Sequence, residues 1–183
     1  MKKILLGFIF LKTFMFAETL YVINDDVIAF NPKNHSRIGI LSRGISGEKI
    51  GENSKEIIIK IQGYLKKDDN KVLYATKNIT LPLLTFDKDN KLNTLEIAVP
   101  KEQLSTSQSE AWADAEFLYY DTCSMCHAAH SPKEHTMLEW DGIFNTMRTF
   151  AMPTDTEAKT IIQYLRAHAN DGYATDDEDE GAE

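Results

Sequence analysis

The 183-residue chain is long enough for one large or two small domains, and 43% apolar residues is ordinary for a globular protein that buries a core. Its 20 Lys and Arg are outnumbered by 28 Asp and Glu, a formal charge of -8, which makes nucleic acid and anionic lipid poor partners. Seven of the negative charges fall in the last thirteen residues, Asp171 to Glu183, so the imbalance is largely that of a tail.

Met1-Lys2-Lys3 precedes an apolar run from Ile4 to Phe16, interrupted by Lys12 and Thr13 and followed by Ala17 and the polar Glu18. That layout predicts a secretory signal peptide over residues 1–17, cleaved near Ala17. The run is too short for a membrane span of about 20 residues. Met15 stands where a small residue is usual, so an uncleaved N-terminal anchor is the alternative. No cysteine lies at the cleavage point, which argues against a lipoprotein.

Residues 18–100 carry short stretches rich in β-branched residues: Leu20–Ile23, Val27–Phe30, Ile38–Leu41, Glu56–Leu65, Val72–Thr76, Ile79–Leu84 and Leu95–Val99. Turn residues separate them, notably Asp68-Asp69-Asn70 and Asp87-Lys88-Asp89-Asn90, as expected of hairpin strands. The expectation is a small, partly closed all-β barrel, with Pro82 at an edge or a bulge. The polar stretch 101–109 is expected to be a linker.

After it the periodicity becomes helical. Trp112, Ala115 and Tyr119 share one face of a helix over Glu110–Tyr120, and Trp140, Ile143, Phe144 and Met147 share a face of a second over Thr136–Met147. Thr154 and Glu157 have capping-box spacing, and a third helix continues through Ile161, Tyr164 and Leu165 towards His168. Residues 110–170 thus form a helical domain, and the acidic segment 171–183 cannot bury enough apolar surface to fold.

Cys123-Ser124-Met125-Cys126-His127 holds the only two cysteines of the chain. Two thiols two residues apart can each add to one vinyl group of a porphyrin, and the histidine that follows can bind its iron, so the motif predicts one covalently attached haem c. A thioredoxin-like redox pair would need a βαβ setting that is not evident here, and a closed zinc site would need further sulfur or imidazole ligands. The second axial ligand decides the chemistry: methionine saturates the iron and suits electron transfer, whereas an open position suits gas binding or peroxide chemistry. Met147 and Met152 are the candidates, with His135 or His168 as bis-histidine alternatives. His130 is too close to His127 to reach the opposite haem face.

Through Ala115 and Tyr119, eight and four residues before Cys123, and through Ile161 with Tyr164-Leu165, the C-terminal part resembles class I cytochrome c domains, whose first and last helices cross at such positions. His135-Thr136, Glu139-Trp140, Met147 and Tyr164 to His168 look like the final haem domain of TorC-type pentahaem cytochromes, which feed molybdenum-containing trimethylamine-N-oxide reductases. Val27 to Phe30, Ile38 to Leu41 and Gly63-Tyr64 look like the small SH3-like barrel preceding that domain. The implied fold is α+β in two domains: an N-terminal all-β SH3-like barrel and a C-terminal all-α class I cytochrome c domain. The resemblance also implies Met147, seven residues after Trp140, as distal ligand, with Trp140 and Tyr164 packed around the haem.

One haem motif stands where that family has five, so the tetrahaem quinol-oxidising portion is missing and direct quinol oxidation is not implied. The expectation is a periplasmic electron-transfer protein, not an enzyme. It would be reduced by an upstream quinol-dependent donor and would reduce a periplasmic molybdopterin N-oxide or S-oxide reductase. The alternative is a haem-based gas or redox sensor with a labile distal ligand.

Overall fold

The structure is a computed structural model that describes residues 18–77 and 81–174. The expected signal segment 1–17, Ile79 and residues 175–183 of the expected tail 171–183 lie outside the described residues; of the tail's first residues, Tyr173 packs against the core and Ala174 is buried.

Strands β1 (Thr19–Val22), β2 (Val27–Phe30) and β3 (Arg37–Leu41) fall where the β-branched stretches predict them. They are followed by β4 (Ser46–Glu52), β5 (Glu56–Gln62), β6 (Tyr64–Lys66), β7 (Asp69–Tyr74), β8 (Pro82–Phe86), β9 (Thr94–Pro100) and β10 (Leu104–Ser105). All pair antiparallel in one sheet of order β10-β1-β4-β5-β9-β2-β3-β8-β7-β6. Alternation sets which side chains enter the core: in β5 and β9, Ile59, Ile61, Ile97 and Val99 are buried, while Lys60 and Glu96 face solvent across from each other. Pro82 opens β8 beside a register shift at Leu73/Tyr74, so its missing N–H falls at a ladder irregularity, as its sequence position predicts.

Three α-helices follow among the described residues: α1 (Gln108–Cys123), α2 (Met137–Ala151) and α3 (Asp155–Ala167). Ser107, Thr136 and Thr154 cap them, each hydroxyl accepting the N–H of the residue three positions on. Trp112, Ala115 and Tyr119 are buried on one face of α1, as their spacing predicts.

The expected fold of a small SH3-like barrel beside a self-standing all-α class I cytochrome c domain is overturned. The molecule is mostly a ten-stranded antiparallel sheet, and its three helices do not close a core by themselves. Leu81 is part of the helical core, and Tyr21, Ile23 and Ala75 pack against it from the strand region. The physical reason is supply: helices of 16, 15 and 13 residues pack largely on one another, and residues of the strand region supply the rest of their cover. Within residues 101–109 lie a 3₁₀ turn, Lys101–Gln103, and β10, which pairs with β1.

The seam is polar as well as apolar. Arg43, 5% exposed, stands in the loop between β3 and β4 and forms ion pairs with Asp25 and Asp114 while donating to the carbonyl of Ala111 on α1. Asp25 also accepts from Thr160 of α3 at 3.0 Å. Next to Arg43, Gly44 has φ +72°, and a Cβ there would stand 2.0 Å from the Trp112 ring, so only glycine lets this loop press onto α1.

The capping carboxylates carry a pH dependence. Hydrogen bonds from Thr154 hold Glu157, and those from Thr136 hold Glu139, below the ordinary carboxylate range. A depressed folded pKa means the unfolded chain binds the proton more readily. The caps therefore stabilise the fold above about pH 4.5, and that contribution is lost as pH falls through the lower folded values. Melting temperature is expected to fall on acidification through this window, and Glu139→Gln with Glu157→Gln to flatten that slope.

Candidate functional site

The last turn of α1 brings Cys123 to its end, and Ser124 caps the helix through its N–H to the carbonyl of Tyr120. Helix geometry therefore delivers the first thiol, and the turn that follows delivers the second and the imidazole. Cys123 is partly buried and Cys126 and His127 are exposed. Burial pushes the Cys123 thiol up from its ordinary pKa, keeping it protonated at neutral pH.

The loop from His127 to Thr136 is held at several points by buried neighbours. Tyr119 donates its hydroxyl to the carbonyl of His130 at 2.8 Å, and the Trp140 indole donates to the carbonyl of Pro132 at 2.7 Å. Burial, with a smaller contribution from Cys123, raises the Tyr119 phenol far above its ordinary pKa, so it stays a donor. Ser131 and Glu134 form a capping box around a 3₁₀ turn at Pro132–Glu134. The Asn170 N–H reaches the carbonyl of His135 at 3.1 Å, tying the loop to the chain just after α3.

These elements enclose a cavity of about 510 Å³. Its walls include Cys123, Cys126 and His127 from the motif, Trp140, Ile143, Phe144, Met147 and Phe150 from α2, and Leu165 from α3. The size lies within the range of cofactor pockets, roughly 300–1,000 Å³. A wider groove of about 700 Å³ bordered by Phe30, His35, Glu56 and Lys101 contains no thiol.

The donor set suits a covalently held haem. Cys123, Cys126 and His127 line an apolar space, and Met147 of α2 lines it too. His127 Nδ1 lies 2.8 Å from the carbonyl of Ala128; donating there leaves Nε2 with its lone pair for a metal.

The other candidates separate by position. Met147 borders the cavity and is 39% exposed, whereas Met152 is the left-handed C-cap of α2, is 80% exposed and is not among the cavity walls. The reason is helix length, since α2 runs on to Ala151 and carries Met152 a further turn away. His135 borders the cavity, its ring edge-on to Trp140 at 5.0 Å. His168 is buried elsewhere, against Trp112 and Tyr164, with Nδ1 3.1 Å from the carbonyl of Tyr164. Trp140 lies in the wall. Tyr164 does not; it packs one layer behind, on Tyr119 at 5.8 Å. Met137 is core, at 1% exposure, and Met125 borders the cavity mouth, 73% exposed. The sequence reading missed Arg43 and Asp25, whose isolated charges gave no sign of burial against the helices.

No described helix is long and apolar enough to cross a membrane. No family model matches the chain, and no solved structure matches it. The chain is 35% identical over 60 residues to cytochrome c-type protein TorC of Escherichia coli strain K12, and equally to its counterpart in Escherichia coli O157:H7. The aligned segment is 33% of this chain and spans only 15% of the length of those relatives. Over that third of its length, the chain is similar to these c-type cytochromes.

Proposed function

We propose that this protein is an exported, periplasmic carrier of one haem c that shuttles electrons and performs no chemistry on a substrate. The observation that carries the reading is that Cys123, Cys126, His127 and Met147 line the same apolar cavity, beside a loop that hydrogen bonds from Tyr119 and Trp140 hold. When bound, the haem supplies reversible one-electron chemistry at its iron.

The rest is the work of the chain. Cys123 and Cys126 would tether the porphyrin through thioethers, and His127 would supply a nitrogen ligand to its iron. Met147 would supply a sulfur ligand, which favours the reduced state. Ile143, Phe144 and Leu165 keep water from the cavity, and Tyr119 and Trp140 hold the His127 loop so that the ligand geometry changes little between redox states.

The partners we propose are a quinol-dependent donor upstream and a molybdopterin N-oxide or S-oxide reductase downstream, in keeping with the likeness to TorC-type cytochromes. For a sequence with one haem motif we propose no direct quinol oxidation.

The test is optical. The oxidised wild type is expected to show the long-wavelength band of methionine-to-iron coordination, absent in Met147→Ala and retained in Met152→Ala. Loss in Met152→Ala alone would reverse the ligand assignment. Carbon monoxide is expected to be refused by the reduced wild type at neutral pH and accepted by Met147→Ala. Ready binding by the wild type would favour a sensor.

A further inference from the structure

We propose that His130, Glu134 and His135 form a binding site for a divalent transition-metal ion of the zinc class on the wall of the apolar cavity, which His130 and His135 border, using neither the thiols nor His127, whose ring lies 6.2 Å from that of His130. One ligand atom from each of the three lies within 4.8 Å of the others. Ligands held about 2.0–2.2 Å from a tetrahedral ion stand roughly 3.5 Å apart. Closing the set therefore needs only small rotations, chiefly of the exposed His130 and Glu134 side chains.

The backbone that carries them is already fixed at each end. The carbonyl of His130 accepts from Tyr119 and that of His135 from the Asn170 N–H, while the Ser131 N–H donates to Glu134 at 2.8 Å. The His135 ring is held edge-on to Trp140. A rigid loop loses little conformational entropy on binding, which raises affinity for the same donors. Glu134 Oε2 lies 2.8 Å from His130 Nδ1, and the Ser131 N–H donates to its Oε1, so the carboxylate is already positioned beside the first imidazole.

Two imidazoles and one carboxylate select by chemistry. Calcium and magnesium prefer all-oxygen shells, whereas zinc, copper and nickel favour imidazole nitrogen. Three protein ligands leave a fourth position for water. The side chains of His130 and Glu134 are about half exposed, at 53% and 50%, so an ion has a path from solvent.

The experiment is calorimetric titration of the full-length matured protein with Zn²⁺ in a non-chelating buffer. One ion per chain is expected. Affinity is expected to fall at least tenfold in His130→Ala and in His135→Ala, and markedly in Glu134→Gln. His35→Ala, which removes a histidine paired with Glu56 far from the loop, should bind as the wild type does. Circular dichroism verifies that each variant is folded. The Cys123→Ala, Cys126→Ala chain should still bind one ion, because the site does not use the thiols. Binding that survives the double variant His130→Ala, His135→Ala, or that disappears with the two cysteines, overturns the site, as does no binding at all. The haem reading stands or falls separately, on the colour of the matured protein.

Discussion

Matured protein carrying Cys123→Ala together with Cys126→Ala is expected to come out of a cytochrome-maturing host without covalent haem. After denaturation and acid–organic extraction the wild type should keep its pigment on the polypeptide, whereas the double variant should release any it holds. The argument is one of bonds rather than affinity. Non-covalent contacts to Phe144, Trp140 and Leu165 are lost on denaturation, whereas thioethers survive it. Each single variant should retain one attachment. If the wild type itself is colourless and both thiols react with an alkylating reagent, the proposed cofactor is wrong.

The second large effect is expected at Arg43, in the seam between sheet and helices. Arg43→Ala would leave Asp25 without its guanidinium partner and remove the donor to the Ala111 carbonyl. One oxygen of Asp25, Oδ1, is already buried without a protein hydrogen bond, so this carboxylate has little to fall back on. Breaking one side of a buried ion pair typically costs about 3–5 kcal/mol. The pair with Asp114 adds little, because that side chain is 68% exposed. A loss of about 3 kcal/mol is therefore expected, which for a chain of this size lowers the melting temperature by roughly 6–12 °C. Arg43→Lys should fall between the two, since lysine keeps the charge without the fork that reaches Asp25 and Asp114 together. Arg43→Met combined with Asp25→Asn should recover part of the loss by removing the stranded charge. A melting curve for Arg43→Ala within about 1 kcal/mol of wild type would show that the seam is held by its apolar contacts alone.

Arg43 also links stability to the candidate site. Its main-chain carbonyl accepts from Gln163 of α3 and from Tyr173, both at 3.3 Å, while its side chain grips α1. The helix that ends in Cys123 and the helix that supplies Leu165 to the cavity are therefore both tied to one loop of the sheet. Loosening that loop is expected to reach the cavity through both helices.

Periodicity made the local elements readable. Trp112, Ala115 and Tyr119 announce the buried face of α1, and Thr154 with Glu157 marks the start of α3. The motif from Cys123 to His127 is read directly, because its spacing is within one helical turn and a short loop. Strand β4 escaped, since Ser46 to Glu52 holds two glycines and three charged residues and has only Ile50 of the β-branched character that marks a strand; its place is set by pairing with β1 and β5. Glu56–Leu65 reads as one strand but divides at Gly63, where a side chain would meet the carbonyl of Tyr74 at 2.6 Å.

By itself the sequence determined the helices, most of the strands and the donor motif, because these depend on neighbours a few residues apart. Only the tertiary structure decided that the helices complete their core on the sheet, that Met147 borders the cavity while Met152 does not, and that Arg43 meets Asp114. Those outcomes depend on which surfaces meet across tens of residues, and no local pattern of charge or hydrophobicity encodes the partner of a single buried arginine.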